Sequence, residues 1–438
     1  MINNNPSLLE LKERIKELES KIETIEKKIH KRKICIAFVY DYLYIYSVPR
    51  YLTVLSDLLV KTGKYDVYLI NEKATDVDYP YNENIKRIIQ KIDIETMKTF
   101  DEENNIEIYI LNNDISDNVN IFKSLGKIIV GIIHDSYLSG IYINETLIYN
   151  FWEIFAEYDS LIHIIPDDYY VYKKLGFTNS IYIPDINTFD YTKTPSSDLV
   201  FKNLLLILGI LDDKLKGGKY GLLAMAEILK KVPDAKLTIL GLNHPEYLIN
   251  FAKELNIENS INLPGFSKNI TEFYLNASVL LIPALTESYH ISVNEAKAHG
   301  LPIVAFNIQY KPSLQSGVIT VDMLDYKAMA NEAIKLLNDY NYRRKKGEEA
   351  KLSLNKYLDN NEIIDMWDRL FESLIFNLDD YKKLQDEVER EYYNEEEAKN
   401  HLEKHYHYGQ QFNKYFRCHS FENMTNLSYI NNIKVCPL

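Results

Sequence analysis

Glu287 and Glu295 lie in the segment Pro283 to Glu295, which reads PALTESYHISVNE. The apolar run Val279 to Ile282 just before it reads as a buried strand. That strand would deliver Glu287 to a loop at its carboxyl end, and the helix that follows would contain Glu295. Backbone amides at such a helix start, over Ser288, Tyr289, His290 and Ile291, can face a phosphate or a polar sugar. A carboxylate further along can accept hydrogen bonds from ribose hydroxyls. The plain alternative is two solvent-facing glutamates. A second constellation is Lys216-Gly217-Gly218, between the apolar run Leu204 to Leu208 and a helix from Tyr220. A lysine and glycines at that point suit a diphosphate, through a point charge and close backbone approach. Lys-Gly-Gly can equally be an ordinary turn. The third is His134-Asp135, directly after the run Ile128 to Ile133. A polar pair at a strand's carboxyl end is well placed for a cleft, although a lone histidine can also be purely structural.

The elements that would position these residues alternate between strand and helix. Ile34 to Val39, Val67 to Ile70, Ile106 to Leu111, Ile128 to Ile133, Leu161 to Ile165 and Ile181 to Ile183 read as buried strands, with a helix over Val48 to Leu59. A second series begins near Leu204. Its strands are Leu204 to Leu208, Leu237 to Leu240, Ile261 to Leu263, Val279 to Ile282, Ile303 to Phe306 and Val318 to Val321. Helices are expected over Tyr220 to Lys231, Pro245 to Leu255, Ile270 to Leu275 and Ile291 to His299. The restart near residue 195, in a polar stretch with Pro195, divides the chain into two α/β domains. Ligands of such sheets sit outside the carboxyl ends of the strands, so two facing domains define a cleft.

The order Lys216-Gly217, Pro233-Asp234-Ala235-Lys236-Leu237, Leu263-Pro264-Gly265-Phe266, then Glu287 to Glu295 with Ala296, Gly300, Pro302 and Val304, resembles the donor domain of family-four retaining glycosyltransferases. Glu287 and Glu295 match that family's E-x7-E motif. The resemblance runs from about Leu204 to Asn307 and, more weakly, from Lys33 to Ile186. It implies a GT-B fold, with two Rossmann-like domains facing a cleft. It also implies roles: Glu295 holding the donor ribose, Glu287 facing the donor sugar, Lys216 on the diphosphate and His134 contacting the transferred sugar. The implied activity is transfer of a hexose from a nucleotide sugar with retention, independent of metal and without a cofactor. The match departs from the family at named places. Ile210 stands where the family has an arginine, Tyr42 to Arg50 replaces a glycine-rich loop, Ser288 and His290 replace glycines, and Asp185-Ile186 replaces Asn-Gly.

The remaining sequence bounds the setting. The chain has 438 residues, of which 46% are hydrophobic and 26% charged, so a large core can form. Tyr is abundant, with 35 copies. A net charge of -13 argues against sequence-independent binding to nucleic acid. Cys35, Cys418 and Cys436 are too few for a disulfide framework, which fits a reducing compartment. No secretory signal or membrane-spanning run is visible. A cytoplasmic protein is expected, with room for a peripheral membrane contact.

Leu8, Leu11, Ile15, Leu18, Ile22, Ile25 and Ile29 are spaced as an a/d heptad seam, after a Ser7 to Glu10 capping box. Arg14 would face Glu19 of a parallel partner and Lys21 would face Glu26, so a homodimer through residues 8–29 is expected; packing on the chain's own body is the alternative. The basic cluster Lys27 to Lys33 complements the helix dipole, or offers a surface to an anionic lipid or substrate. The expected organisation is a coiled-coil helix over 1–32, an acceptor domain over 33–195, a donor domain over 196–360, and a closing helix with a helical and polar tail over 361–438. Within that last part, Trp367, Leu370, Phe371 and Leu374 suggest an amphipathic helix, and Asp379 to Glu397 reads as a solvated acidic one. His401, His405, His407, Cys418 and His419 match no standard zinc spacing. The acceptor class stays open between protein, lipid-linked group and glycan. The competing readings are a non-catalytic GT-B subunit that scaffolds a partner through its coiled coil, and a sugar-nucleotide epimerase.

Overall fold

The structure is a computed structural model. It describes residues 32–41, 43, 47–75, 79–112, 118–134, 154–188, 202–209, 216–241, 245–267, 269–285, 291–308, 317–354, 359–376 and 378–400, together with Arg14 and Lys16. The heptad seam and the histidine-rich tail lie outside the described residues, apart from those two.

The first half contains β1 (Ile34–Val39), α1 (Ser47–Lys61), β2 (Tyr65–Asn71), β3 (Lys86–Ile89), α2 (Ile94–Asn104), β4 (Ile108–Asn112), α3 (Asn118–Ser124), β5 (Ile128–Ile133), β6 (Ser160–His163), α4 (Pro166–Lys174) and β7 (Ser180–Tyr182). Its strands form one seven-stranded sheet in the order β3-β2-β1-β4-β5-β6-β7, parallel throughout. The strands are apolar on both sides because both faces are covered. In β1, Ile36 and Phe38 join one core cluster while Ala37 and Val39 join another, the period-two split of a strand between two layers. α1 begins with Pro49 in its first turn, where the missing N–H costs nothing, and it buries Tyr51, Leu52, Leu55 and Leu59.

The second half repeats the plan with β8 (Asn203–Gly209), α5 (Gly218–Leu229), β9 (Lys236–Gly241), α6 (Glu246–Glu254), β10 (Ile261–Gly265), α7 (Ile270–Leu275), β11 (Val279–Ile282), α8 (Ile291–Ala298), β12 (Ile303–Phe306), β13 (Ile319–Val321) and α9 (Tyr326–Asn338). The sheet order is β10-β9-β8-β11-β12-β13, again parallel. Leu204, Leu206 and Leu208 face one layer and Leu205 the other. In both sheets the strand order reverses once, between β1 and β4 and between β8 and β11.

After α10 (Tyr340–Ser353) the chain leaves the second sheet, and α11 (Asn360–Phe376) and α12 (Leu378–Tyr392) return to the first. Ile363, Met366, Trp367, Leu370 and Phe371 complete the core that contains Ile36 and Phe38. Lys64 and Tyr65 both donate to the Asp368 carboxylate at 2.7 Å. The acidic stretch from Asp379 is helical, but it is not simply solvated. Tyr381, Leu384 and Val388 form a buried stripe in the same core, and Gln385 Nε2 donates to the Ser180 carbonyl at 2.6 Å, covering the free edge of β7. Charged residues dominate that stretch by number, whereas three apolar residues at helical spacing decide which face is buried. β3 and α2 were not anticipated from sequence. β3 is an edge strand whose two ends are exposed, so it lacks the continuous apolar run of its neighbours.

Candidate active site

The second sheet positions its residues through one tight approach. Gly217 caps α5 with φ +70°, and a Cβ there would run into the Pro283 carbonyl, standing 2.7 Å from its carbon. The turn after β8 is therefore pressed against the residue that follows β11, across the point where the strand order reverses. Only glycine fits, because both the left-handed backbone and the missing side chain are needed. Lys216, half-buried, immediately precedes it. Ile291 opens α8 on the other side of the crevice, half-buried. Glu287, Ser288, Tyr289 and His290 lie outside the described residues.

Glu295 lies inside α8 with a side chain only 2% exposed. Among the described residues, three hold its carboxylate. Tyr274 OH, from α7, donates to Oε2 at 2.8 Å. Thr188 Oγ1, six residues past β7, donates to Oε1 at 3.2 Å. Arg50, in the first turn of α1, forms an ion pair with the same Oε1 through Nη1 and donates from Nη2 to the Thr188 carbonyl at 2.9 Å. Burial works against the guanidinium charge, but the fields of Glu295, Tyr79 and Tyr274 outweigh it and hold the Arg50 pKa above its ordinary value. Burial, reinforced by Glu295, pushes the Tyr274 phenol well up, so it stays a donor. His299 stacks on Tyr274, with ring centroids 5.1 Å apart, and its Nδ1 lies 2.7 Å from the Glu295 carbonyl.

His134 sits one residue past β5, buried, with Nε2 at 3.0 Å from Asn112 Oδ1 at the end of β4. That pairing assigns the ring proton to Nε2. Tyr51 of α1 meets the imidazole edge-on, with centroids 4.9 Å apart. Desolvation drives the His134 pKa down to about 3. The ring is therefore neutral at physiological pH and can act as a hydrogen-bonding group but not as an ionic one. Asp185 is buried nearby on the strand-to-linker turn, with burial raising its pKa well above its ordinary value. Burial, with Asp185 nearby, pushes the Tyr51 phenol well up.

Among the residues expected from sequence, Lys216 and Gly217 thus lie between β8 and α5, Ile291 and Glu295 in the helix that follows β11, and His134 just past β5. Arg50, Thr188 and Tyr274, which grip Glu295, were not expected, and neither was Asn112. An arginine in the first turn of an otherwise apolar-faced helix was the one visible hint of Arg50. Among the described residues, no cluster of His, Cys, Asp or Glu could hold a metal ion, and no helix is long and apolar enough to cross a membrane.

Residues 198–353 match the family model described as glycosyl transferases group 1. An uncharacterized glycosyltransferase of Haemophilus influenzae is 41% identical over 93 residues, 21% of this chain and 26% of that protein. The chain spans between 21% and 40% of the length of the first relatives it matches. Among solved structures, sucrose-phosphate synthase from Thermosynechococcus elongatus aligns with TM-score 0.66 at 15% identity, covering 78% of this chain and 99% of that one. Anabaena HepE in complex with UDP and glucose aligns with TM-score 0.60 at 13% identity, covering 78% of this chain and 100% of that one. Two parallel sheets of seven and six strands, each with a single reversal of order, together with these neighbours, make the fold GT-B.

Proposed function

We propose that this chain, whose residues 198–353 match the family model of the group 1 glycosyl transferases, transfers a sugar from a nucleotide-sugar donor to an acceptor hydroxyl, with retention at the anomeric carbon and without a metal ion. The observation that carries this reading is the meeting of Arg50 and Glu295. It brings the first turn after β1 against the helix after β11, so the crevices at the strand reversals of the two sheets face each other. Open α/β sheets take their ligands at such points.

In this reading the ribose diol donates to Glu295 and the diphosphate lies at the Lys216-Gly217 turn. There the turn's pressed backbone brings amides and a cation close to phosphate oxygens. As the bond from the anomeric carbon to the diphosphate breaks, negative charge builds on the leaving oxygen, and Lys216 stabilises it. The neutral His134 holds a hydroxyl of the transferred sugar without adding charge to the site. Glu287 faces the donor sugar, and Ser288, Tyr289, His290 and Ile291 supply the amides at the start of α8. HepE was solved with UDP and glucose and with UDP-glucose, so UDP-glucose is the first donor to try here.

The test is a screen of UDP-, GDP- and ADP-linked sugars for nucleotide release, with wild type beside Glu295→Ala. Release from one donor that the substitution abolishes supports the reading. Binding without release, even with crude acceptor extract, would point to a non-catalytic subunit. We also propose that residues 8–29 pair two copies in parallel. Light scattering at micromolar concentration should give twice the chain mass, and a monomer there would end that part.

A further inference from the structure

We propose that Arg50 is a latch that competes with the donor for Glu295: it caps the ribose-binding carboxylate when the cleft is empty and must leave before a nucleotide can enter. The inference rests on the donor reading of Glu295 and adds a control to that same site.

The argument is one of hydrogen-bond capacity. A carboxylate offers about four lone-pair sites, two on each oxygen. Oε1 receives both Arg50 and Thr188, so it is full. Oε2 receives Tyr274 and has one site left. A vicinal diol brings two donors, so it cannot be satisfied while all three protein groups stay. Space gives the same answer, since the Glu295 side chain is 2% exposed and that of Arg50 is 16% exposed. Tyr274 and Thr188 lean on their own short tethers, α7 and the segment after β7. Among the described residues, Arg50 alone reaches Glu295 through a long side chain on a helix of the other sheet, so its departure deforms no backbone. Its second bond, to the Thr188 carbonyl, ties the latch to the segment that leaves the first sheet for the second. Near it, Asn360 and Asn187 exchange reciprocal bonds of 2.8 and 2.9 Å. Opening the latch therefore loosens the junction between the halves at the moment the ribose is received.

A site whose competent form is a minor population binds more weakly by that fraction. If fewer than one molecule in ten is uncapped, removing the guanidinium should tighten nucleoside binding by about tenfold or more. The probe is a free nucleoside, which has a ribose but no phosphate and so isolates the Glu295 subsite. Calorimetric titration of uridine, guanosine and adenosine into full-length wild type, Arg50→Met and Arg50→Lys should give the tightest binding for Arg50→Met. Arg50→Lys should fall between, because one ammonium cannot pair with Glu295 and the Thr188 carbonyl together. Small-angle scattering without ligand should show Arg50→Met with a larger radius of gyration than wild type. Should Arg50→Met fail to fold, the intermediate affinity of Arg50→Lys carries the test. If wild type binds a nucleotide sugar and the Arg50 variants bind nucleosides no more tightly than wild type, the latch is wrong and the transferase reading stands. If neither wild type nor variants bind any nucleoside or nucleotide sugar, both fall.

Discussion

Acid should unfold the first half of this protein through two buried imidazoles. His163, at the end of β6, is fully buried, with Nε2 at 3.1 Å from Ser180 Oγ and its ring 4.4 Å from that of Tyr172. Desolvation lowers its pKa to about 3, as it does for His134. In the unfolded chain each titrates near the ordinary value of about 6.5. A folded pKa below the unfolded one means that the stabilisation is complete above about pH 6.5 and drains away as pH falls toward 3. Between pH 7 and pH 5 the unfolded imidazole takes up its proton while the folded one does not. The linkage relation then gives a loss of about 2 kcal/mol per histidine over that interval. Since pH 5 lies well above 3, this figure depends almost wholly on the unfolded value. The assay is urea denaturation at pH 7, 6 and 5 in a Trp152→Phe background. That leaves Trp367, in the core against the first sheet, as the sole tryptophan. His163→Phe keeps a ring beside Tyr172 and removes the titration. Whatever its effect at pH 7, it should lose about 2 kcal/mol less than its parent on going to pH 5. Equal losses in the two proteins would show that His163 titrates normally in the native state, and the burial argument would fail.

Three further outcomes follow from the same structure. Lys297, on α8, is buried and its Nζ has no hydrogen-bond partner among the described residues; desolvation lowers its pKa to about 8, so the cost is full below about pH 8 and shrinks as pH rises toward 10. Lys297→Met should therefore stabilise the second half at pH 7 by up to about 3 kcal/mol, with a smaller gain at pH 9.5, measured by denaturant titration. Asp185 has a raised pKa from burial, so its contribution is intact below about pH 4 and is lost as pH rises. Asp185→Asn should raise the melting temperature at pH 7.5 relative to wild type, and the two proteins should converge at acid pH. Gly217→Ala must bear the left-handed backbone, about 1–2 kcal/mol, and a clash with the Pro283 carbonyl. A melting temperature unchanged from wild type would mean that the turn after β8 is not pressed against β11.

The sequence alone was enough to locate most of the strands. The runs at β1, β5, β11 and β12 match the structure to the residue, because a strand buried on both faces must be apolar at every position and so announces its own length. It also placed Lys216-Gly217 in the turn between a strand and a helix, and Glu295 inside the helix that follows another strand. Three features were decided only in three dimensions. β3 pairs at the sheet edge with exposed ends, and nothing in its own residues sets it apart from a loop. The acidic helix α12 buries a stripe whose partner surface lies some two hundred residues earlier, around Asn179 and Ser180. Arg50 and Glu295 meet across 245 positions of chain. Periodicity reports how a residue sits relative to its own element, and that much can be read locally. Which element it then meets depends on how the sheets close, and no spacing along the chain records that. The charge state of the site was hidden for the same reason: His134 could be named from its strand, but its neutral imidazole is set by its burial in the folded chain, where it meets Asn112 and Tyr51.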